Sequence, residues 1–121
     1  MDADSIRDLF AALGPVRVRK MFGGQGVYRD DLMFALEAGG ELFLKADDET
    51  AAAFAAAGSR QFTYAKDGRA TAMSYWRLPD AALDDPDEAA RWGRLALETA
   101  RRAAAGKRPK GPKARPAPRA R

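Results

Sequence analysis

Residues 19–28 read Arg19-Lys20-Met21-Phe22-Gly23-Gly24-Gln25-Gly26-Val27-Tyr28 and place three glycines within four positions. Because glycine tolerates positive φ and allows close backbone approach, such a cluster marks a tight turn or a bulge between strands. The aromatic residue directly before the glycines indicates a turn that packs against a core. The run therefore predicts a β-hairpin whose fold-defining turn consists of Met21, Phe22, Gly23 and Gly24.

The same glycines have a second interpretation, as a loop that binds phosphate. A phosphate loop usually leads into a helix N-terminus and is followed by Lys-Ser or Lys-Thr. Here the glycines lead into Val27-Tyr28-Arg29, a predicted strand, and the GxGxxG spacing is missing. The hairpin is therefore favoured, and a ligand-binding loop stays the alternative.

The flanking segments predict a helix followed by an antiparallel meander. The helix runs from Ser5, its predicted cap, to Leu13, and Gly14-Pro15 ends it. Strands are predicted at residues 16–20, 26–29, 32–36 and 41–45. The turns Asp30-Asp31 and Gly39-Gly40 are too short for parallel crossovers, so neighbouring strands are antiparallel.

The second half of the chain predicts two more helices and two more strands. Asp47 or Asp48 caps a helix that ends near Ala57, with Phe54 as its main apolar anchor. Strands follow at residues 61–65 and 69–77, joined by the turn Asp67-Gly68. Asp85-Pro86-Asp87-Glu88 begins a last helix that runs to about residue 105. The fold class is therefore α+β, with a single domain over residues 1–105.

The amino-acid composition argues against several classes of function. The chain has 121 residues, 46% of them hydrophobic, and contains neither cysteine nor histidine. The usual general base at neutral pH and the usual zinc ligands are therefore missing, and we expect no enzyme, no cofactor and no metal site. The sequence has no apolar window of membrane-spanning length and no signal-peptide pattern, so we expect a cytoplasmic protein without a membrane partner.

The C-terminal segment, residues 106–121, has a separate composition. It contains four prolines, no acid and seven cations: Lys107, Arg108, Lys110, Lys113, Arg115, Arg119 and Arg121. Residues 1–105 keep fourteen cations and seventeen acids, a net charge of −3. The segment predicts a disordered basic tail with weak nonspecific affinity for DNA or RNA. A merely solubilising extension and attraction to a membrane surface are the alternatives.

Cations also cluster around the predicted hairpin, at Arg17, Arg19, Lys20 and Arg29. They are candidate contacts for nucleic acid or an acidic partner, provided that they share one face of the sheet. The alternative is a solvated face that protects a sheet edge from unwanted pairing.

Aromatic residues in the predicted strands also have two interpretations. Bases of single-stranded nucleic acid stack on such rings beside cations, but core positions show the same alternation. The candidates are Tyr28, Phe43, Phe62, Tyr64, Tyr75 and Trp76. Core packing is favoured for the set. Since Tyr75 and Trp76 are adjacent in a strand, they must face opposite sides of the sheet.

Roughly residues 5–102 resemble the TfoX N-terminal domain family, whose members are linked to regulation of DNA uptake competence in bacteria. The resemblance rests on the run around Met21-Phe22-Gly23-Gly24 and on later pieces in the same order: Leu42-Phe43-Leu44-Lys45-Ala46-Asp47, Phe62-Thr63-Tyr64, Met73-Ser74-Tyr75-Trp76-Arg77-Leu78-Pro79 and Trp92. It implies a sheet similar to secretion-chaperone-like domains and a role in transcription regulation. It supplies no catalytic residues. The basic tail takes the place of the family's second, helical domain, so a stand-alone N-terminal module is expected.

Three hypotheses about function follow. The first is a non-enzymatic regulatory or adaptor module that binds a protein through an exposed apolar patch, while the tail adds nucleic-acid affinity. The second is a nucleic-acid-binding protein that uses the four hairpin cations together with the tail. The third is a small enzyme or a ligand carrier with a deep pocket and convergent polar groups. Such a fold can form a homodimer, but the sequence indicates no interface.

Overall fold

A six-stranded antiparallel sheet forms the centre of the structure. The computed structural model describes residues 1–21, 23–66 and 69–107, and their side chains except at 64–73 and 107. The strands are β1 (Arg17–Met21), β2 (Gly24–Arg29), β3 (Leu32–Ala38), β4 (Glu41–Lys45), β5 (Gln61–Lys66) and β6 (Arg69–Arg77). The helices are α1 (Ala3–Leu9), α2 (Asp48–Ala56), the 3₁₀ turn Asp80–Ala82 and α3 (Pro86–Lys107). The predicted α+β class and the element order are confirmed.

The spatial order of the strands is β1-β2-β3-β4-β6-β5. The first four strands form the predicted meander. The last hairpin then joins the sheet through its second strand, because β6 pairs with β4 and leaves β5 at the far edge. Both edges of the sheet, β1 and β5, are thus formed by strands with one described neighbour.

Positive φ angles explain the two short hairpins. Asp30 and Asp31 have φ of 54° and 61°, and Gly39 and Gly40 have φ of 60° and 85°. Two-residue turns of this kind match the right-handed twist of the flanking strands, and they require residues that tolerate the left-handed region. Both predicted turns are confirmed.

The glycine run is a hairpin, as predicted. Met21 pairs with Gly24, and Gly23 has a φ of 72°; Phe22 lies outside the described residues. β2 begins at Gly24, two residues earlier than expected, because β3 approaches this backbone closely. A Cβ on Gly24 would lie 1.9 Å from the carbonyl oxygen of Glu37. These glycines therefore shape strand pairing, and the ligand-loop alternative is not supported.

The first helix differs from its prediction. Asp2, not Ser5, is the cap, since its Oδ1 accepts a hydrogen bond from the Ser5 backbone N–H at 2.8 Å. The helix ends at Leu9 instead of Leu13. An aspartate cap places a negative charge at the positive end of the helix, which makes the earlier start favourable.

The other two helices begin where the sequence indicates. Asp47 and Thr50 form a reciprocal capping box at α2, with hydrogen bonds of 3.0 and 2.9 Å. Phe54 is fully buried and anchors this helix, as predicted. Asp85 Oδ1 accepts hydrogen bonds from the first N–H groups of α3. The last helix continues to Lys107, slightly beyond the predicted end.

The main core lies between the helices and one face of the sheet. Phe10 of the α1 segment meets Phe34 of β3 edge to face at 5.3 Å, and Phe54 packs against Trp92 at 4.6 Å. The register shift between Val27 and Tyr28 leaves Phe34 without a partner on β2, which makes it a β-bulge. The bulge lets Phe34 pack in the main core beside Ala35, its neighbour in β3.

A second, smaller apolar cluster lies on the opposite face of the sheet, here called the outer face. Its buried members are Leu36, Phe43 and Tyr75, and Met33, Ala38 and Phe62 pack against them. Every one of these residues belongs to a strand, whereas the helices contribute only to the main core. We refer to these six residues as the outer-face cluster.

Candidate interaction surface

Cations cover the aromatic rings of the outer face. Lys45 Nζ lies 5.1 Å from the centre of the Tyr75 ring, and the Arg60 guanidinium carbon lies 5.8 Å from that of Phe43. At the β1 end of the face, the guanidinium carbon of Arg17 lies 5.6 Å from the centre of the Tyr28 ring. The quadrupole of an aromatic ring attracts a cation at such distances. The outer face is therefore apolar at its base and positively charged at its surface.

Glu41 pairs with one of these cations, Arg60, and with a further cation, Arg77. One of its carboxylate oxygens accepts from Arg60 at 2.6 Å and the other from Arg77 at 2.9 Å. Hydrogen bonds from Arg60 and then Arg77 lower the pKa of Glu41 below its ordinary value. Arg77 also donates to Asp80 at 2.5 Å. One carboxylate therefore bridges two guanidinium groups at the surface of the outer face.

Two of the rings beneath the cations, those of Phe43 and Tyr75, are closed to stacking. Phe43 is 2% exposed and Tyr75 is 6% exposed, so core packing is the right interpretation for both. Tyr28 and Phe62 are half-buried on the same face, while Trp76 is half-buried against the main core. The side chain of Tyr64 lies outside the described residues. A nucleic-acid base could reach Phe43 or Tyr75 only after displacing the cation above it.

A broad exposed apolar patch, which the adaptor hypothesis required, is not present among the described side chains. The exposed large apolar residues in that part of the chain are Met1, Met21 and Leu83. Met21 alone belongs to the outer face, where its sulfur, Met33 and Tyr28 surround Gly26. Methionine adapts to irregular contacts, so this corner of the face is suited to a partner of variable shape.

The four predicted hairpin cations do not share one face. Arg17 and Arg19 lie on the outer face, and Lys20 lies on the helix-side face with Val18, which packs against the main core. Arg17 forms an exposed ion pair with Asp31 at 3.2 Å. Arg19 and Lys20 are exposed and have no ion-pair partner among the described residues. The single strip that the nucleic-acid hypothesis requires is therefore split.

Arg29 contacts the loop between α1 and β1. Its guanidinium donates to the Pro15 carbonyl oxygen at 2.7 Å. The same group lies against Gly14, whose φ is 124°, so that a Cβ there would come within 2.7 Å of it. Arg29 therefore stabilises the loop between α1 and β1, and it lies on the face of the sheet opposite Arg17.

The remaining predicted contact residues belong to the tail. The side chain of Lys107 and all of Arg108, Lys110, Lys113, Arg115, Arg119 and Arg121 lie outside the described residues. Their role, and the domain boundary at residue 105, stay predictions.

The described surface has several clefts, of which three bear on function. A cleft of about 220 Å³ contains Arg77, Asp80, Glu88 and Arg91, and these groups pair with one another. Another, of about 560 Å³, contains Asp47 and Arg102, which are 2.9 Å apart.

The third cleft, of about 330 Å³, is lined by Met1, Leu9, Leu83 and Pro86 with acidic neighbours. In the first two, the ion pairs Arg77–Asp80, Glu88–Arg91 and Asp47–Arg102 neutralise charged groups that a ligand pocket would leave unpaired. Among the described side chains, no group of three His, Cys, Asp or Glu residues could hold a metal ion. None of the described helices is both long and apolar enough to cross a bilayer.

Lys45, Arg60 and Arg77 were not predicted from the sequence as cations of this surface. Lys45 was recognisable, since Glu41, Phe43 and Lys45 alternate on one side of a predicted strand. No sequence pattern predicts the positions of Arg60 and Arg77, because both meet Glu41 only when β6 pairs with β4.

The fold and surface define a small α+β domain with a one-sided helical cover and a cation-covered outer face. The family model of the TfoX N-terminal domain matches residues 8–100, so the chain belongs to the TfoX N-terminal domain family.

Two curated relatives are similar to parts of the chain. Protein Sxy of Escherichia coli (strain K12) is 28% identical over 94 residues, which are 78% of this chain and 45% of the relative. DNA transformation protein TfoX1 of Aliivibrio fischeri (strain ATCC 700601 / ES114) is 31% identical over 68 residues, or 56% of this chain and 32% of the relative. The chain thus spans less than half the length of either.

Proposed function

We propose that this chain is a non-enzymatic regulatory module that acts by binding another protein through the outer face of its sheet. The observation that carries the proposal is the pair of cations over the outer-face cluster, with Lys45 above Tyr75 and Arg60 above Phe43. The described helices pack against the opposite face of the sheet. A sheet surface that combines apolar and charged side chains suits protein recognition better than it suits a small molecule.

The charge of this face indicates an acidic partner. Residues 1–105 carry a net charge of −3, yet Arg17, Arg19 and Lys45 gather on the outer face, next to the Arg60–Glu41–Arg77 bridge. Complementary charge mainly speeds the encounter and fixes the orientation of two partners. We therefore expect a surface rich in Asp and Glu on the partner.

The absence of histidine and cysteine from the sequence supports a non-enzymatic role. The mutual pairing of charged groups in the clefts supports the same conclusion, since a catalytic group needs a free functional atom. A regulatory role in DNA transformation is supported by the name of the relative TfoX1 and by family membership. A bacterial cytoplasmic location and an effect on transcription belong to this proposal.

The tail adds a second part to the proposal. Its seven cations and absence of acids support weak, nonspecific affinity for DNA or RNA, driven by counterion release. Such an arm would keep the module near nucleic acid while the domain contacts its protein partner. The split of the four hairpin cations between two faces argues against the domain itself as the nucleic-acid site.

A chimaera tests the regulatory role. In Aliivibrio fischeri TfoX1, the segment equivalent to residues 8–100 of this chain is replaced by those residues, and the frequency of DNA transformation is measured. We expect the chimaera to support transformation well above a strain that lacks TfoX1. A chimaera that accumulates as folded protein but gives only the background frequency would contradict the proposed function.

A further inference from the structure

We infer that β1 is a docking edge, to which an extended acidic segment of the partner protein adds as a seventh strand. This inference rests on the proposed function, because it names the partner's chemistry and the place where it binds. The edge is the strand Arg17–Met21, which pairs with β2 alone among the described strands. A strand at the edge of a sheet offers unpaired backbone groups to an incoming strand.

The cations of β1 lie on both faces of the sheet. Arg17 and Arg19 point to the outer face, and Lys20 points to the helix side. A duplex or a flat anionic surface would meet only one of these sets. An added strand alternates in the same way as β1, so its side chains would lie beside both sets at once.

Two of these cations, Arg19 and Lys20, have no acidic cross-strand partner on β2. The cross-strand partners of Arg19 and Lys20 are Gly26 and Gln25. Neither cation has an ion-pair partner among the described residues, and both are exposed. Acidic side chains on an incoming strand would supply the missing opposite charges, and each such cross-strand pair stabilises a sheet.

Charge also argues against a second copy of this chain as the occupant. In an antiparallel pairing of β1 with itself, centring on Arg19 places the two Arg19 side chains opposite each other. Shifting the centre to Val18 places Arg17 opposite Arg19, and shifting it to Lys20 places the two Lys20 side chains together. Two further registers, in which four residues of each strand overlap, place Lys20 opposite Arg17 or opposite Arg19. Like charges directly opposite each other destabilise a sheet, so self-pairing is disfavoured where an acidic strand is favoured.

The neighbouring outer face extends the site. Met21 is 44% exposed at the end of β1, and Met33 and Tyr28 surround Gly26 beside it. An added strand that projects apolar side chains toward the outer face would find this adaptable corner next to the cations. The site therefore fits an extended segment that combines glutamate or aspartate with small apolar residues.

A peptide tests the inference on the full chain. The probe is an N-acetylated, C-amidated peptide of sequence Glu-Val-Glu-Glu-Val-Glu-Glu-Val. Two control peptides accompany it, one with lysine in place of glutamate and one N-methylated at alternate residues. N-methylation keeps the charge but blocks the backbone hydrogen bonds of strand addition. Binding is followed by NMR, together with hydrogen exchange of the β1 amides.

Strand addition predicts a specific result. The acidic peptide should bind, and it should slow exchange of the outward-pointing amides within residues 17–21 by about tenfold or more. The lysine peptide and the N-methylated peptide should do neither. Arg19→Glu should weaken binding by about fivefold or more, whereas the matched change Arg94→Glu, at an exposed position of α3, should leave it nearly unchanged.

Four outcomes would overturn the inference. These are no binding at about 1 mM peptide, equal binding of the N-methylated peptide, equal effects of Arg19→Glu and Arg94→Glu, and protection of the same amides by duplex DNA. Each leaves the chimaera experiment unaffected, so a failure here is distinguishable from a failure of the regulatory proposal.

Discussion

Tyr75 and Trp76 are neighbours in β6 and pack on opposite faces of the sheet. Tyr75 lies in the outer-face cluster beneath Lys45 Nζ at 5.1 Å, while Trp76 stacks with Phe54 of α2 at 6.5 Å. The pair defines the two sides of the molecule: a helix-covered core and a thin apolar layer under cations. The outer side is the one that the proposed function uses.

Burial raises the pKa of Tyr75 to about 12, with a smaller contribution from Tyr28. Because the folded value is above the ordinary 10.0, the stabilisation is fully present below pH 10 and is lost as the pH rises through 12. A titration of phenolate absorbance should show one late component, and Tyr75→Phe should remove it. A late component that persists in the variant would show that Tyr75 is not its source and would contradict the burial of this ring.

Gly24→Ala should destabilise the fold by about 3 kcal/mol or more, because the new Cβ would lie 1.9 Å from the Glu37 carbonyl oxygen. Gly23→Ala is the matched control. It has free space around the new Cβ and a φ of 72°, so its cost is about 1–2 kcal/mol. Urea unfolding of both variants measures the difference. Equal costs would show that β3 does not approach β2 at this point.

Glu37 accepts hydrogen bonds from Gln25 at 2.9 Å and from the Gly40 N–H at 2.8 Å, and it is 7% exposed. Burial raises its pKa, but these bonds and the Met1 ammonium outweigh burial, so the pKa lies below the ordinary 4.5. Its stabilisation is therefore present above pH 4.5 and is lost as the pH falls through the lower folded value.

Glu37→Gln should consequently cost about 1–2 kcal/mol at pH 7, since one oxygen cannot accept both bonds. The cost should shrink as the pH falls below 4.5. Glu98→Gln, at an exposed position of α3, serves as the control with little effect. Denaturant unfolding between pH 3 and 7 checks the trend, and a pH-independent cost would refute it.

The seven cations of the tail set the salt dependence of DNA binding. For the full chain on duplex DNA, the slope of log K against log salt should be no steeper than about −6. Replacing the seven cations with glutamine should remove most of the affinity. Fluorescence anisotropy across a salt series measures both proteins, and an undiminished slope in the neutral variant would place the nucleic-acid site on the domain.

Local signals made most of the fold predictable. The hairpins at Asp30-Asp31 and Gly39-Gly40 and the α3 cap at Asp85 depend on residues adjacent in sequence, and all three are confirmed. The end of α1 at Leu9 and the β-bulge at Phe34 were not predicted. Tertiary packing determines both features, and the local conformational preference of the residues does not.

The surface was less predictable than the fold. Arg17, Arg19, Lys20 and Arg29 were grouped by their nearness in the sequence, but the strand alternation separates Arg17 and Arg19 from Lys20 and Arg29. The bridge from Arg60 through Glu41 to Arg77 joins the loop before β5 to strands β4 and β6. It exists only because β6 lies next to β4, which is a pairing between distant parts of the chain.

The most direct test of the central claim compares two charge reversals within the TfoX1 chimaera. Arg19→Glu changes the outer face, and Arg94→Glu makes the same change of net charge on α3. Both variants are first checked for folding by circular dichroism, and then the frequency of DNA transformation is measured. The account predicts that Arg19→Glu lowers the frequency toward the background while Arg94→Glu preserves it. Equal frequencies in the two folded variants would contradict the claim that the outer face is the interaction surface.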